Sequence, residues 1–202
     1  MHATEILTNE HRVIEQVLNC IAELIDRGES TGRFDWTSAE QIIGFLRNFA
    51  DGCHHAKEEE QLFPALEQRG FSPELGPTAV MRSEHEEGRR HIAAMAAAVD
   101  ASLRGDNGWA LQFAEHSRAY IELLRQHIQK EDHCLFPMAD RVLSELDQQH
   151  VLSAFGDIEA APARAGQHEH YLKLANTLAD QFDVPHAVTS AAHPLVCCGH
   201  DA

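Results

Sequence analysis

The chain has 202 residues, enough for one domain with extensions and a sizeable buried core. Its 32 acidic residues against 16 basic ones give a formal charge of −16, with no Lys/Arg cluster for a phosphate backbone, so nucleic acid is not an expected partner. No apolar run reaches the roughly 18 to 20 residues of a membrane span, so no membrane association is expected.

The start, Met1-His2-Ala3-Thr4-Glu5, lacks the basic flank and apolar stretch of a secretory signal, so a cytoplasmic location is expected. Cys20, Cys53, Cys134, Cys197 and Cys198 show no disulfide-framework spacing and are expected as reduced thiols. Histidine is the compositional outlier, at 15 residues, and imidazole is the commonest transition-metal ligand near neutral pH.

Glycine and proline punctuate the chain into six helical stretches, and strand patterning is absent. The first is predicted from Thr4 to Asp26, ending at Arg27-Gly28, with Leu7, Ile14, Leu18, Ile21 and Ile25 as one apolar stripe. The second is predicted to begin after Thr37 or Ser38 as N-cap and to continue to Arg69-Gly70. The third opens at Pro77 and reaches Leu103 before Gly105; the fourth follows Asp106-Asn107 and runs to Val142.

Short connections between long amphipathic helices imply an up-down-up-down four-helix bundle over 1–142. Ser144 with Asp147 resembles a capping box for a fifth helix to Ala160. A sixth follows Gly166, with Tyr171, Leu174, Leu178 and Phe182 on one face. This extension, 143–184, is expected to cover the bundle or to form a homodimer contact, and 185–202 to be a loosely ordered tail.

An internal repeat of roughly 73 residues runs through the four long helices. His54-His55-Ala56-Lys57-Glu58-Glu59-Glu60-Gln61-Leu62-Phe63-Pro64 aligns with His127-Ile128-Gln129-Lys130-Glu131-Asp132-His133-Cys134-Leu135-Phe136-Pro137. The first His, the Lys, the Glu and Leu-Phe-Pro coincide, and an acid follows the Glu in both. Upstream, Glu10-His11 and Glu84-His85 match; His11 precedes His54 by 43 residues and His85 precedes His127 by 42.

Residues four apart share a helix face, so His54 projects with Glu58 and His127 with Glu131. His11 lies in the seam of Leu7, Ile14 and Leu18, and His85 in that of Met81, Ile92 and Met95. A core receiving four imidazoles and two carboxylates needs a cation, because unpaired buried carboxylates are prohibitively costly. Two metals about 3.5 to 4 Å apart, bridged by the carboxylates and an oxo or hydroxo group, meet that need. Each metal then has five bonds, with a sixth position open or taken by a further side chain. Such mixed ligation with an open position suits iron or manganese better than a closed structural zinc.

Glu-His followed by His-His-x-Lys-Glu-Glu-x-x-Leu-Phe-Pro, then repeated, resembles the hemerythrin-like, or HHE, cation-binding family over residues 4 to 142. The resemblance implies a four-helix bundle with a non-haem di-iron centre, ligated by His11, His54, Glu58, His85, His127 and Glu131, with the two glutamates as bridges. Manganese or zinc at the same ligands stays open. Oxygen-carrying hemerythrins place another histidine where this chain has Arg89, and an aspartate five residues after the last histidine, the spacing of Asp132. His55 is a candidate additional ligand, as the corresponding residue is in an iron-sensing F-box relative.

Tyr120, two turns before His127, is expected to pack in the core with its hydroxyl bonded, or to stand behind the ligands as Arg89 and Asp132 do. Glu59 and Glu60 are expected to be solvated or to orient imidazoles, His116 to be a satisfied histidine away from the centre, and Pro64 and Pro137 to end or kink their helices. His193, Cys197, Cys198 and His200 offer a zinc reading that lacks C-x-x-C spacing. The expected activity is reaction with O2, peroxide or nitric oxide, as an oxidoreductase of oxidative stress defence. An oxygen- or iron-sensing module and an iron store are the alternatives.

Overall fold

A computed structural model of the chain describes residues 2–103, 108–162 and 166–189. Six helices account for most of it: α1 (Ala3–Thr31), α2 (36–68), α3 (Pro77–Leu103), α4 (109–142), α5 (Glu145–Ala160) and α6 (Gln167–Phe182). No strand occurs among the described residues. No helix there is long and apolar enough to cross a membrane. The turn expected at Gly105–Asn107 and the zinc reading of the tail fall outside the described residues.

Two boundaries differ from the sequence expectation. Helix α1 does not stop at Gly28 but runs to Thr31 and ends on Gly32, whose φ of 66° is the left-handed conformation of a C-terminal glycine. Gly28 instead serves packing: a Cβ there would lie 2.6 Å from the Phe34 ring. The N-cap of α2 is Asp35, ahead of Thr37 and Ser38; its side chain accepts from the Ser38 backbone N–H at 3.2 Å and from the Ser38 hydroxyl at 2.8 Å.

Pro64 and Pro137 end neither helix. Each follows a π-helical turn, Glu58–Leu62 or Glu131–Leu135, and sits in the first turn of the α-segment resuming after it, where a missing N–H is tolerated. A longer π run, Leu46–His55, occurs in α2, whereas the corresponding part of α4 is α-helical throughout Trp109–Lys130. The two halves of the repeat are therefore alike at the glutamates and unlike just before them.

Two apolar clusters build the core. The larger draws Ile14 and Leu18 from α1, Phe49 from α2, Ile92 and Met95 from α3, Leu124 and Ile128 from α4, and Leu178 and Phe182 from α6. The smaller joins Leu7, Leu62, Phe63, Met81, Leu135 and Phe136 to Val151 and Phe155 of α5. Along α1 and α3 the smaller cluster comes first and the larger second; along α2 and α4 the order reverses. His11, His54, Glu58, His85, His127 and Glu131 fall between the two, so a polar layer is sealed by apolar packing on both sides.

The capping box of α5 forms as expected: Ser144 accepts from the Asp147 N–H at 3.3 Å and donates its own N–H to the Asp147 carboxylate at 2.8 Å. Helix α6 lies along α1, where Gln16 donates to the Ala175 carbonyl at 2.8 Å and Arg27 to that of Phe182 at 2.8 Å. The predicted apolar face of α6 is largely consumed within the chain.

Candidate metal centre

The six residues singled out by the repeat meet in one place, and His55 joins them. Ligand atoms of His11, His54, Glu58 and Glu131 all lie within 4.8 Å of one another, as do those of His55, Glu58, His85 and His127. Glu58 belongs to both groups, and every member is buried. The Nε2 atoms of His11 and His127 each stand 3.2 Å from Glu131 Oε2. Those of His54 and His85 stand 3.7 and 3.4 Å from the two oxygens of Glu58.

Consecutive residues on an α-helix diverge by roughly 100°. His54 and His55 are nonetheless both buried, at the end of the π run of α2. The repeat carries Ile128 where this half has His55, so the centre holds five imidazoles rather than four, three in one group and two in the other.

All five imidazoles turn the other nitrogen, Nδ1, to a carboxylate, and each carboxylate in turn holds a cation. His54 faces Glu10 at 3.0 Å and Glu10 holds Lys57; His127 faces Glu84 at 2.9 Å and Glu84 holds Lys130. His11 faces Asp132 at 2.8 Å, which binds Arg12 at 2.7 Å. His85 faces Glu59 at 2.6 Å and His55 faces Asp51 at 3.3 Å; Arg89 clasps both acids, at 2.8 and 2.9 Å. This outer carboxylate fixes the ring and its tautomer and leaves Nε2 with its lone pair directed inward.

Arg89 thus braces two of the imidazoles and is not itself in the cluster. Asp132 and Glu59, the acids after the repeated glutamates, each cross to a histidine of another helix. Glu10, Glu84, Lys57, Lys130 and Asp51 had no assigned role in the sequence, although four of the five are repeat-matched positions.

Buried polar atoms without a hydrogen-bond partner are rare in folded proteins. Here they concentrate at one point: both oxygens of Glu58, both of Glu131, and Nε2 of His11 and of His55. Burial and the Glu131 charge push the Glu58 carboxyl well above the ordinary range. Burial would raise Glu131 too, but the His127 charge and contacts from His11 and His127 outweigh it and hold it well below. Burial pulls His54 down to about 4, while the Glu131 and Glu84 charges carry His127 up to about 9 against its burial. Without a cation, one carboxyl keeps its proton and the imidazoles divide between charged and neutral. The donor set fits a pair of ions that neutralise both carboxylates and take the imidazole lone pairs.

Two expectations fall outside the cluster. The Tyr120 hydroxyl is buried but has no hydrogen-bond partner, contrary to the bonded core role expected of it; its ring packs on Gly88, where a Cβ would stand 3.3 Å away. His116 pairs with His91, Nδ1 to Nδ1 at 3.2 Å, apart from the centre. A third group, Glu10, Glu159 and His168, brackets the Lys57 ammonium.

Residues 2–139 match the family described as the Hemerythrin HHE cation binding domain. Uncharacterized proteins of two Mycobacterium tuberculosis strains and of Mycobacterium bovis are each 29% identical over 157 residues, 78% of this chain and 61% of theirs. The chain therefore spans about three fifths of the length of these curated relatives. No solved structure matches. The match takes in every residue of the doubled motif that the fold gathers into one buried cluster, and the chain belongs to the hemerythrin HHE cation binding domain family.

Proposed function

We propose that the chain is a non-haem di-iron protein that binds O2, peroxide or nitric oxide and serves in oxidative stress defence. In this reading α1 to α4 form the up-down-up-down bundle over 1–142, which the alternating order of the two apolar clusters along successive helices supports. Residues 143–184 are an extension on it. The observation that carries the proposal is the convergence of unpartnered Glu58 and Glu131 oxygens with five imidazoles whose outer nitrogens are all tied to carboxylates.

His11 and His54 would hold one iron and His55, His85 and His127 the other, with Glu58 and Glu131 across the pair. Three imidazoles with two carboxylate bridges on the His55–His85–His127 side exceed the four-coordinate preference of zinc and suit iron, or manganese in its place. When bound, the pair supplies two adjacent one-electron redox centres able to engage a small oxygen-containing ligand. The position on the His11–His54 side that corresponds to His55 falls to Ile128, a hydrocarbon, so coordination is most open there. Phe136 stacks on His11 at 5.4 Å, which narrows that opening in favour of a molecule of a few atoms. No side chain of the cluster stands free as an acid or base, which favours chemistry at the metals over proton transfer from the protein.

The test is metal content by elemental analysis with optical spectra in air and after peroxide, comparing wild type with Glu58→Ala, Glu131→Ala. The reading expects about two irons per chain, as a dinuclear site requires, with near-ultraviolet absorption lost in the variant. Peroxide consumption by the loaded wild type makes it an oxidoreductase; ligand binding without turnover makes it a sensor or carrier. Iron content indifferent to losing both glutamates would sink the bridged centre.

A further inference from the structure

The doubled motif gives the centre two equivalent lysine–glutamate pairs, but the chain treats them differently. Lys130 and Glu84 lie near the surface, with 43% of the Lys130 side chain exposed. Lys57 and Glu10 are sealed, with 0% of the Lys57 side chain exposed, and what seals them is the C-terminal helix pair. From the end of α5, Glu159 reaches the Lys57 ammonium at 2.6 Å. From the start of α6, His168 reaches Glu10 at 3.3 Å, on the same carboxylate oxygen that accepts from Lys57. The other oxygen of Glu10 holds His54 at 3.0 Å. Phe155 of α5 lies 5.8 Å from the ammonium and closes the site on its apolar side.

We propose that Glu159 and His168, both outside the family-matched residues 2–139, are positioning residues of the metal centre, through which docking of α5 and α6 and iron binding by the His11–His54 half are coupled. The proposal rests on the di-iron reading above. The physical reason is a shared carboxylate. Glu10 must present one oxygen to His54 while the other faces Lys57, and a buried lysine with a single carboxylate partner is poorly satisfied. Glu159 supplies the second carboxylate, and His168 steadies the oxygen Lys57 uses. If the helix pair lifts away, Lys57 and Glu10 enter water, the pair weakens toward the state of Glu84 and Lys130, and the hold of Glu10 on the His54 ring is loosened by solvent. Coupling of this kind is reciprocal: iron that locks His54 also favours the docked helices, and docked helices favour iron. The chain thus has, on one of its two irons only, a route by which metal occupancy is displayed on its surface.

The experiment uses the full chain with and without iron. Amide hydrogen exchange is followed in Glu145–Ala160 and Gln167–Phe182, and iron release to excess chelator is timed for wild type, Glu159→Gln, His168→Gln and the exposed control Glu169→Gln, with circular dichroism as the check on folding. Removing iron is expected to speed exchange across both helices. Glu159→Gln and His168→Gln are expected to shift the ferric spectrum and release iron about tenfold faster, in the range for lost outer carboxylate partners, with Glu159→Asp restoring part of the effect and Glu169→Gln leaving the rate unchanged. Exchange in α5 and α6 indifferent to iron, or wild-type release from both variants, would overturn the coupling while leaving the di-iron reading intact. A wild-type chain that takes up no iron overturns the di-iron reading, and this inference with it.

Discussion

At the scale of single residues, Lys57 and Lys130 make a natural comparison, because they share a repeat position, a helical register and a glutamate partner. They differ in solvent. Removing Lys57 leaves Glu10 buried and short of its main cation, since the Lys57 charge is what chiefly holds the Glu10 carboxyl below the ordinary range against its burial. Breaking a buried pair from one side costs roughly 3 to 5 kcal/mol, whereas a surface pair is worth about 1 kcal/mol or less. Urea denaturation of the iron-free proteins is therefore expected to show Lys57→Met strongly destabilised and Lys130→Met close to wild type. Equal losses would mean that the sealing of Lys57 does not matter energetically. The sequence marked both lysines as repeat-matched but contained no sign of which was buried, because α5 and α6 cover only one of them. His55 was a candidate ligand through the family resemblance, not through helical spacing: next to His54 it would lie on the adjacent face of an α-helix, and it is buried at the end of the π run of α2.

The helices themselves were legible wherever a local signal decides. The Ser144–Asp147 box, Pro77 at a helix start and the apolar stripe of α1 each act within a turn of the residue that carries them. Signals with two meanings were misread: a glycine that ends a helix and a glycine that admits a ring look alike in sequence, and Gly28 is the second kind. Gly28→Ala would force the Cβ against Phe34 and is expected to lower the melting temperature, although alanine is the better helix former by about 1 kcal/mol. A stabilised Gly28→Ala would show that the ring moves aside without cost. Ser144→Ala removes the hydroxyl half of the box, leaving the backbone N–H of residue 144 on the Asp147 carboxylate, and is expected to cost about 1 kcal/mol in denaturant unfolding. The prolines after the glutamates were read as ending or kinking their helices because the π turns before them leave no mark in composition. Those turns are where Glu58 and Glu131 sit, in keeping with the tendency of π-bulges to mark functional sites.

For the molecule as a whole, a polar layer between two apolar clusters makes stability depend on what fills the layer. In the metal-free chain Glu58, buried beside the Glu131 charge and without a hydrogen bond, is disfavoured as a carboxylate and subtracts from stability, while Glu131 is held only by drawing charge onto the imidazoles. Replacing both with methionine, of similar reach and without charge, relieves that strain; exchanging buried ionic groups for apolar ones of similar volume commonly gains about 1 to 4 kcal/mol. Glu58→Met, Glu131→Met is accordingly expected to be more stable than wild type without iron. With iron the order reverses. A ligand at a thousandfold excess over its dissociation constant adds about 4 kcal/mol to a protein that binds it only when folded. Wild type gains that, and the double variant, stripped of its bridges, does not. Thermal unfolding of both proteins with and without ferrous iron under anaerobic conditions measures the crossing. If the variant is the less stable in both states, the two carboxylates contribute to the fold itself, and the layer owes its composition to packing rather than to a cation.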